Sequence, residues 1–197
     1  RDLVRSRGLG DVYKRQFKDF EQIFQTLHRL YDISPEAEIT IEANPDDLTD
    51  EYVNMLRTFP FNRLSMGIQT FQENILRLLH RRHTAQQAVE AFERCRKAGF
   101  TNISIDLMYG LPGETLQTWE ADLRQAVSMK PEHISAYHLI YEEGTVLWKL
   151  REQHRVEEAD EDLSVSLFTQ LIHKLKDYGY QHYELSLIHI SEPTRPY

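Results

Sequence analysis

The chain has 197 residues, with 23 lysines and arginines against 31 aspartates and glutamates, a formal net charge of −8, and a single cysteine. One cysteine excludes an internal disulfide, a four-thiolate zinc site and a three-thiolate iron–sulfur site built from this chain alone. The acidic balance argues against a nucleic-acid binder, which needs clustered cations to displace counterions from phosphates. Because no apolar run approaches the roughly 20 residues that cross a bilayer, we expect a cytoplasmic protein.

Stretches with helix-like and strand-like patterns alternate along the chain from Phe17 onward. Apolar residues at spacings of three and four predict a first helix over 17–30. Further helices are predicted after Thr49, over 72–80, after Thr84, over 115–129 and from Leu163 to near Gly179. Short apolar segments predict strands at 38–43, 63–67, 102–107 and 132–139, with a possible fifth at 181–185. Gly99 is expected in the left-handed conformation that ends a helix.

Repeated strand–helix units with short loops indicate an α/β fold, in which helices cover a parallel sheet. A closed eight-stranded barrel needs roughly 250 residues, more than this chain has. About five predicted strands therefore fit either an open parallel sheet or part of a barrel.

The two ends of the chain differ from this pattern. Residues 1–16 contain many arginines and no apolar period, and residues 187–197 break the strand pattern abruptly. Both resemble translated sequencing-adapter DNA, although ordinary disordered termini would also fit. We expect the native domain to be residues 17–186, and the parent protein to extend beyond both ends.

Polar residues near the carboxyl ends of the predicted strands are candidates for ligand binding, because parallel α/β proteins bind ligands there. Glu42 and Gln69 end the first two strands, Asp106 lies in the third, and Tyr137 or His138 ends the fourth. Glu42 and Asp106 could instead be capping or ion-paired carboxylates, the more common role for a lone acidic residue. Their expected position on one rim favours the ligand-binding interpretation.

Two arginines, Arg81 and Arg82, lie between His80 and His83. A guanidinium matches the geometry of a carboxylate, so the pair could bind an anion or could simply occupy an exposed helix end. The nine histidines show no spacing typical of a metal site, and we predict no metal ligands. Cys95 falls on the apolar face of its helix and is expected to be buried and inert.

Several motifs, taken in order, resemble the radical SAM proteins of the HemN/HemW group. They are EANP at 42–45, RLSMGIQTF at 63–71, LLHRRH at 78–83, ISIDLMYGLPG at 103–113 and HISAYHL at 133–139. The segments YEEGT at 141–145 and HYELS at 182–186 are more similar to the HemW haem chaperones than to the oxygen-independent coproporphyrinogen III oxidases. The resemblance covers about residues 17–186.

This resemblance implies a partial (β/α)6 TIM-like barrel, N-terminally truncated, whose full-length parent holds a 4Fe-4S cluster and S-adenosyl-L-methionine at its carboxyl rim. By motif, Glu42 would contact the methionine part of S-adenosylmethionine and Arg81 would bind a carboxylate. Gln69 and Asp106 would hold polar groups of the same ligand or of a second copy. The family's CxxxCxxC cluster loop and its GGGTP segment are absent from this chain. We therefore expect no catalytic residue and no cluster ligand here, and a chain that is inactive by itself.

The function implied by the resemblance is that of a haem chaperone, which binds haem and transfers it to haem-accepting proteins. Its partners would be haem and those acceptors, with no nucleic acid, and the parent could associate peripherally with membranes through its acceptors. The alternative is a fragment of an oxygen-independent coproporphyrinogen III oxidase, an enzyme that oxidatively decarboxylates two propionates in porphyrin biosynthesis. A fold of this type used only for protein interactions is a third possibility, which the intact strand-end residues disfavour.

Overall fold

The computed structural model of the protein describes residues 9–183. Four strands are present in this part of the chain: β1 (Thr40–Ala43), β2 (Arg63–Gln69), β3 (Ile103–Tyr109) and β4 (His133–His138). The helices are α1 (Leu9–Leu30), α2 (Asp50–Leu56), α3 (Glu73–Leu78), α4 (Ala85–Lys97), α5 (Leu116–Ser128), α6 (Val146–Glu152) and α7 (Glu161–Asp177), and a 3-10 turn covers Pro45–Asp47. None of these helices is both long and apolar enough to span a membrane.

The strands form one parallel sheet in the order β1-β2-β3-β4. A doubly wound sheet reverses its strand order at a switch point, whereas this order follows the chain without reversal. Successive parallel strands joined by helices are the repeating unit of a TIM barrel. The fold is therefore α/β, a partial TIM-like barrel, as the family resemblance implies; the sequence pattern by itself also allowed an open parallel sheet.

The two faces of the sheet differ in chemistry because side chains alternate along each strand. One face is apolar and packs under the helices: its central residues are Leu64, Met66 and Ile68 of β2 and Ile103, Ile105 and Leu107 of β3, all fully buried. The opposite face carries polar or small residues, among them Glu42, Ser65, Gly67, Asp106 and Ser135. All the candidate strand residues that carry charge thus lie on the face away from the helices.

Helix ends agree closely with the sequence prediction. Thr84 begins α4 with a capping box, in which its hydroxyl accepts from the Gln87 amide and the Gln87 side chain accepts from the Thr84 amide. Gly99 ends the same helix with a φ of +95°. Asp160 caps α7 by accepting from the Leu163 amide at 2.7 Å.

Three elements differ from the prediction. The first helix begins at Leu9 instead of residue 17, because a helix that is already docked extends at little further cost. Its docked part places Phe20 and Phe24 against Phe59 and Phe61, at ring distances of 5.2 to 5.8 Å. Helix α6 was not predicted, since three of its four apolar residues are consecutive and show no helical period. The possible fifth strand is absent at 181–183, and residues 184–185 lie outside the described part.

The proposed boundaries at 16/17 and 186/187 stay predictions. Residues 1–8 and 187–197 lie outside the described residues, and α1 runs continuously across the first boundary.

Candidate functional site

Two carboxylates and two serines meet at the centre of the polar sheet face. Glu42 of β1 lies opposite Ser65 of β2 in register, and Asp106 of β3 lies opposite Ser135 of β4. The Ser65 hydroxyl is 3.3 Å from each carboxylate oxygen of Asp106, and the Ser135 hydroxyl also donates to Asp106. Glu42 and Asp106 therefore lie on one face of the sheet, in agreement with the expectation that they share one rim.

Asp106 has a perturbed acidity that follows from this arrangement. Its half-buried position raises the pKa of the carboxyl above the ordinary value, and the neighbouring Glu42 carboxylate acts in the same direction. The hydroxyls of Ser135 and Ser65 oppose this by stabilising the charged form. A cationic or hydroxyl-bearing ligand on this face would lower the pKa, because it would interact favourably with both carboxylates.

The second part of the site lies where β1 and β2 end. Gln69 folds back over Gly67, so a Cβ added at Gly67 would be 3.0 Å from Gln69 Nε2, 3.6 Å from Asn44 Oδ1 and 3.8 Å from an Arg81 guanidinium nitrogen. Arg81 donates to Asn44 Oδ1 at 3.1 Å. Two amides and a guanidinium thus surround the partly exposed backbone of Gly67, an arrangement that we call the recess at Gly67.

Arg81 and Arg82 have different surroundings although they are adjacent in sequence. Arg82 is exposed and pairs with Asp46 at 2.6 Å and Asp47 at 3.1 Å. Arg81 is half-buried and, among the described residues, forms no ion pair. Burial lowers the pKa of the Arg81 guanidinium, with Asp46 acting in the opposite direction, yet an arginine stays charged at neutral pH. Arg81 is therefore the one of the two suited to an anionic ligand group.

The fourth strand end contributes Tyr137 and not His138 to this face. Tyr137 lies opposite Met108 in register, on the polar side of the sheet. His138 turns to the helix side, where its ring meets Tyr109 edge-on at 5.2 Å and its Nε2 lies 3.0 Å from the Ser164 hydroxyl. The sequence left the choice between them open.

The sequence did not single out Ser65, Ser135, Asn44 or Gly67 as site residues. The signal that could have found them is the period of two: Ser65 and Gly67 lie four and two positions before Gln69 in β2, Ser135 lies two positions before Tyr137 in β4, and Asn44 directly follows β1. His83 is also part of the support, since its buried ring donates from Nε2 to the Ile68 carbonyl at 3.2 Å.

The residues of this chain do not fit an iron–sulfur cluster. Cys95, the one thiol in the sequence, is fully buried in the helix-side core. Burial raises the pKa of this thiol to about 12, which disfavours the thiolate that a metal needs. Within residues 9–183, no group of three or more histidine, cysteine, aspartate or glutamate side chains could hold a metal ion. The residues do fit a polar organic ligand with separate cationic and anionic groups.

Two of the proteins similar to this chain share one name. The chain is 35% identical over 169 residues to the protein named "Heme chaperone HemW" of Lactococcus lactis, covering 86% of this chain and 45% of that protein. It is 35% identical over 180 residues to the protein of the same name in Bacillus subtilis, covering 91% and 48%. The chain thus spans about half the length of these relatives.

A solved structure shares the fold. Coproporphyrinogen III oxidase (HemN) from Escherichia coli superimposes with a TM-score of 0.73 at 24% identity, covering 86% of this chain and 39% of that one. At this identity the likeness concerns the fold alone. The family model described as the Radical SAM superfamily matches residues 9–126, more than half of the sequence and including β1, β2, β3 and most of α5. The chain belongs to the radical SAM superfamily.

Proposed function

We propose that the polar sheet face and the recess at Gly67 bind S-adenosylmethionine. Glu42 contacts the ammonium of the methionine part, and Arg81 binds a carboxylate. Gln69 and Asp106 hold polar groups of the same molecule or of a second copy. The observation that carries this proposal is the half-buried Arg81 guanidinium, which donates to Asn44 and pairs with no carboxylate in the described residues.

The charges of the site match those of an amino acid ligand. An α-amino acid presents an ammonium and a carboxylate on the same carbon. The Glu42 and Asp106 carboxylates lie together on the sheet face, and Arg81 lies beside Gly67 at the strand ends. Carboxylate and guanidinium partners form charge-assisted hydrogen bonds, the strongest kind available to a polar ligand.

Calorimetric titration of the chain with S-adenosylmethionine tests this proposal. Arg81→Lys keeps the charge but removes the planar fork, so we expect at least a tenfold weaker affinity. Arg82→Lys is the matched control, one residue away and already paired with Asp46 and Asp47, and should leave the affinity unchanged. Equal effects of the two substitutions would contradict the assignment of Arg81.

We propose further that the chain is part of a longer haem chaperone, a carrier that binds haem and transfers it to haem-accepting proteins. The 35% identity to two relatives named "Heme chaperone HemW" carries this proposal. Members of the superfamily hold a 4Fe-4S cluster and S-adenosylmethionine when complete. The three cysteines that bind the cluster would lie outside this chain, since Cys95 is its one cysteine. We place the parent protein in the cytoplasm, with peripheral membrane association through its acceptors.

The complete protein, with its cluster reconstituted, separates the two candidate functions. A chaperone should bind haem stoichiometrically, with a shifted Soret absorbance, and should lose it to an added apo-acceptor. A coproporphyrinogen III oxidase should instead convert coproporphyrinogen III to product with release of carbon dioxide. Turnover of coproporphyrinogen without stable haem binding would overturn the chaperone proposal.

A further inference from the structure

The end of β2 departs from regular strand geometry at Gln69. This residue has a φ of +73°, and the register with β3 shifts between Gly67 and Gln69. Residues other than glycine rarely adopt this left-handed conformation, because Cβ approaches the following carbonyl group. It persists only where the surrounding structure holds it in place.

The loop that follows Gln69 is built around one buried carboxylate, that of Asp122 in α5. Asp122 Oδ2 accepts from the Thr70 hydroxyl at 2.5 Å and from the Phe71 amide at 3.2 Å. Its Oδ1 accepts from Gln72 Nε2 at 2.9 Å. Thr70 is fully buried and Asp122 is 1% exposed. Three consecutive residues are thus fixed by one side chain that is 50 to 52 positions away in sequence.

The residue before Gln69 is fixed as well. His83 donates from Nε2 to the Ile68 carbonyl at 3.2 Å, and its ring is buried. Gln69 is therefore held on both sides, by His83 at Ile68 and by Asp122 at Thr70 and Phe71. With both neighbours fixed, the backbone of Gln69 has little freedom to relax to an extended conformation.

The left-handed conformation of Gln69 determines where its side-chain amide lies. The left-handed backbone turns the Gln69 side chain back along β2, so that its Nε2 lies over Gly67 and beside Arg81. In a regular extended strand the side chains of residues 67 and 69 would share a face and stand roughly perpendicular to it, so the Gln69 amide would project away from Gly67 instead of folding back over it.

We propose that Asp122 is a positioning residue for the ligand site: it holds Gln69 in the left-handed conformation that directs the Gln69 amide toward the recess at Gly67. It acts through the loop and does not itself touch the ligand. The part of this inference that concerns ligand affinity rests on the proposed binding of S-adenosylmethionine.

The Asp122→Asn variant of the 197-residue chain tests this inference. Asparagine has nearly the same shape, but it has one acceptor oxygen where Asp122 has two, so it cannot accept from Thr70 and Phe71 on one side and from Gln72 on the other at the same time. We expect the Gln69 Cα chemical shift and its amide-to-Hα coupling to lose the signature of a positive φ. We also expect S-adenosylmethionine to bind at least fivefold more weakly by calorimetry. Leu123→Ala, the next residue in α5 and fully buried, is the matched control: it should lower the melting temperature and leave both readouts unchanged.

A double substitution distinguishes positioning from general support. Gln69→Gly removes the side chain that Asp122 is proposed to direct, so Asp122→Asn should cause no further loss of affinity in that background. Additive losses would overturn the inference. So would a Gln69 that keeps its positive φ in Asp122→Asn, or an affinity that does not change when φ does.

Two further measurements keep the inference testable. If Asp122→Asn does not fold, Thr70→Val removes the 2.5 Å bond with a smaller perturbation and should produce the same changes at Gln69. If the unmodified chain does not bind S-adenosylmethionine, the proposed function fails, while the backbone signature of Gln69 still decides whether Asp122 sets its conformation.

Discussion

The Ser65 hydroxyl lies 3.3 Å from both carboxylate oxygens of Asp106, across the two central strands of the sheet. This contact joins residues 41 positions apart and keeps the Asp106 charge on the polar face. Burial and the neighbouring Glu42 carboxylate both disfavour the charged form of Asp106. Asp106 is thus held in a position that is costly for an anion, which supports the proposal that it binds a polar group of a ligand.

Replacing Asp106 with asparagine should weaken ligand binding without loss of stability. The change removes the repulsion from Glu42 and the cost of burying a charge, so we expect the free energy of unfolding at pH 7 to stay equal or to rise by up to about 1 kcal/mol. The affinity for S-adenosylmethionine should fall at least tenfold. Urea unfolding and calorimetry measure the two quantities. Glu90→Gln, the same charge change at an exposed position of α4, should alter neither by much.

A buried carboxylate should make stability depend on pH. Burial raises the pKa of Glu114 from 4.5 to about 7 in the folded protein. A raised carboxyl pKa means that the folded state keeps its proton longer than the unfolded state, so stability falls as pH rises from about 4.5 through about 7. A pKa shift of this size lowers the free energy of unfolding by about 3 kcal/mol between about pH 4.5 and about pH 7.

The Glu114→Gln variant should remove this dependence of stability on pH. One oxygen, Oε2, accepts from the Gly110 amide at 2.7 Å and the Leu111 amide at 3.3 Å, and the glutamine oxygen can take its place. We therefore expect the variant to match the unmodified chain at pH 5 and to exceed it in stability at pH 8. Unfolding free energies measured at both pH values check this. A variant that is less stable at pH 8 would show that the charge itself is needed.

The backbone strain at Gln69 predicts that glycine is more stabilising than alanine at this position, the reverse of their order in a helix. Gln69→Gly and Gln69→Ala both remove the side chain amide and should weaken ligand binding equally. Glycine adopts the observed φ of +73° freely, so Gln69→Gly should be more stable than Gln69→Ala by about 1 kcal/mol. At the exposed helical position Gln117 the order should reverse by about the same amount. Thermal melts of the four variants measure both differences.

The two glycines of the GLPG loop should tolerate a methyl group differently. A Cβ at Gly110 would lie 2.6 Å from His138 Nε2, whereas a Cβ at Gly113 would have nothing within 4 Å. Both residues have a φ of +73°. Gly113→Ala should therefore cost only the backbone strain, about 1 kcal/mol, and Gly110→Ala about 3 kcal/mol because the His138 ring must also move. Urea unfolding of the pair measures the difference.

Local signals predicted much of this fold correctly. A threonine that caps a helix and a glycine that ends it act over a few residues, so Thr84 and Gly99 could be identified from their neighbours alone. The positions of Glu42 and Asp106 near the carboxyl ends of parallel strands predicted that they share one rim. These features need no knowledge of the rest of the chain.

Features that depend on distant contacts could not be predicted in this way. The left-handed Gln69 is set by Asp122, whose bond to Thr70 spans 52 positions. The one hint of that contact in the sequence is that Asp122 falls on the apolar face of α5, beside Trp119 and Leu123. Helix α6 showed no clear period because three of its four apolar residues are consecutive. The specific roles of Glu42, Gln69, Arg81 and Asp106 toward a ligand stay predictions.

The burial of Cys95 gives the protein a built-in reporter of unfolding. A thiol that is fully buried with a pKa of about 12 should react with alkylating reagents only when the core opens. The rate at which Cys95 is labelled therefore reports how often the core opens, and it can be measured in a protein mixture without purification. A second cysteine introduced at an exposed position such as Arg82 would be modified selectively in the native state, so a fluorophore or spin label could be attached beside the recess while the native thiol stays in place.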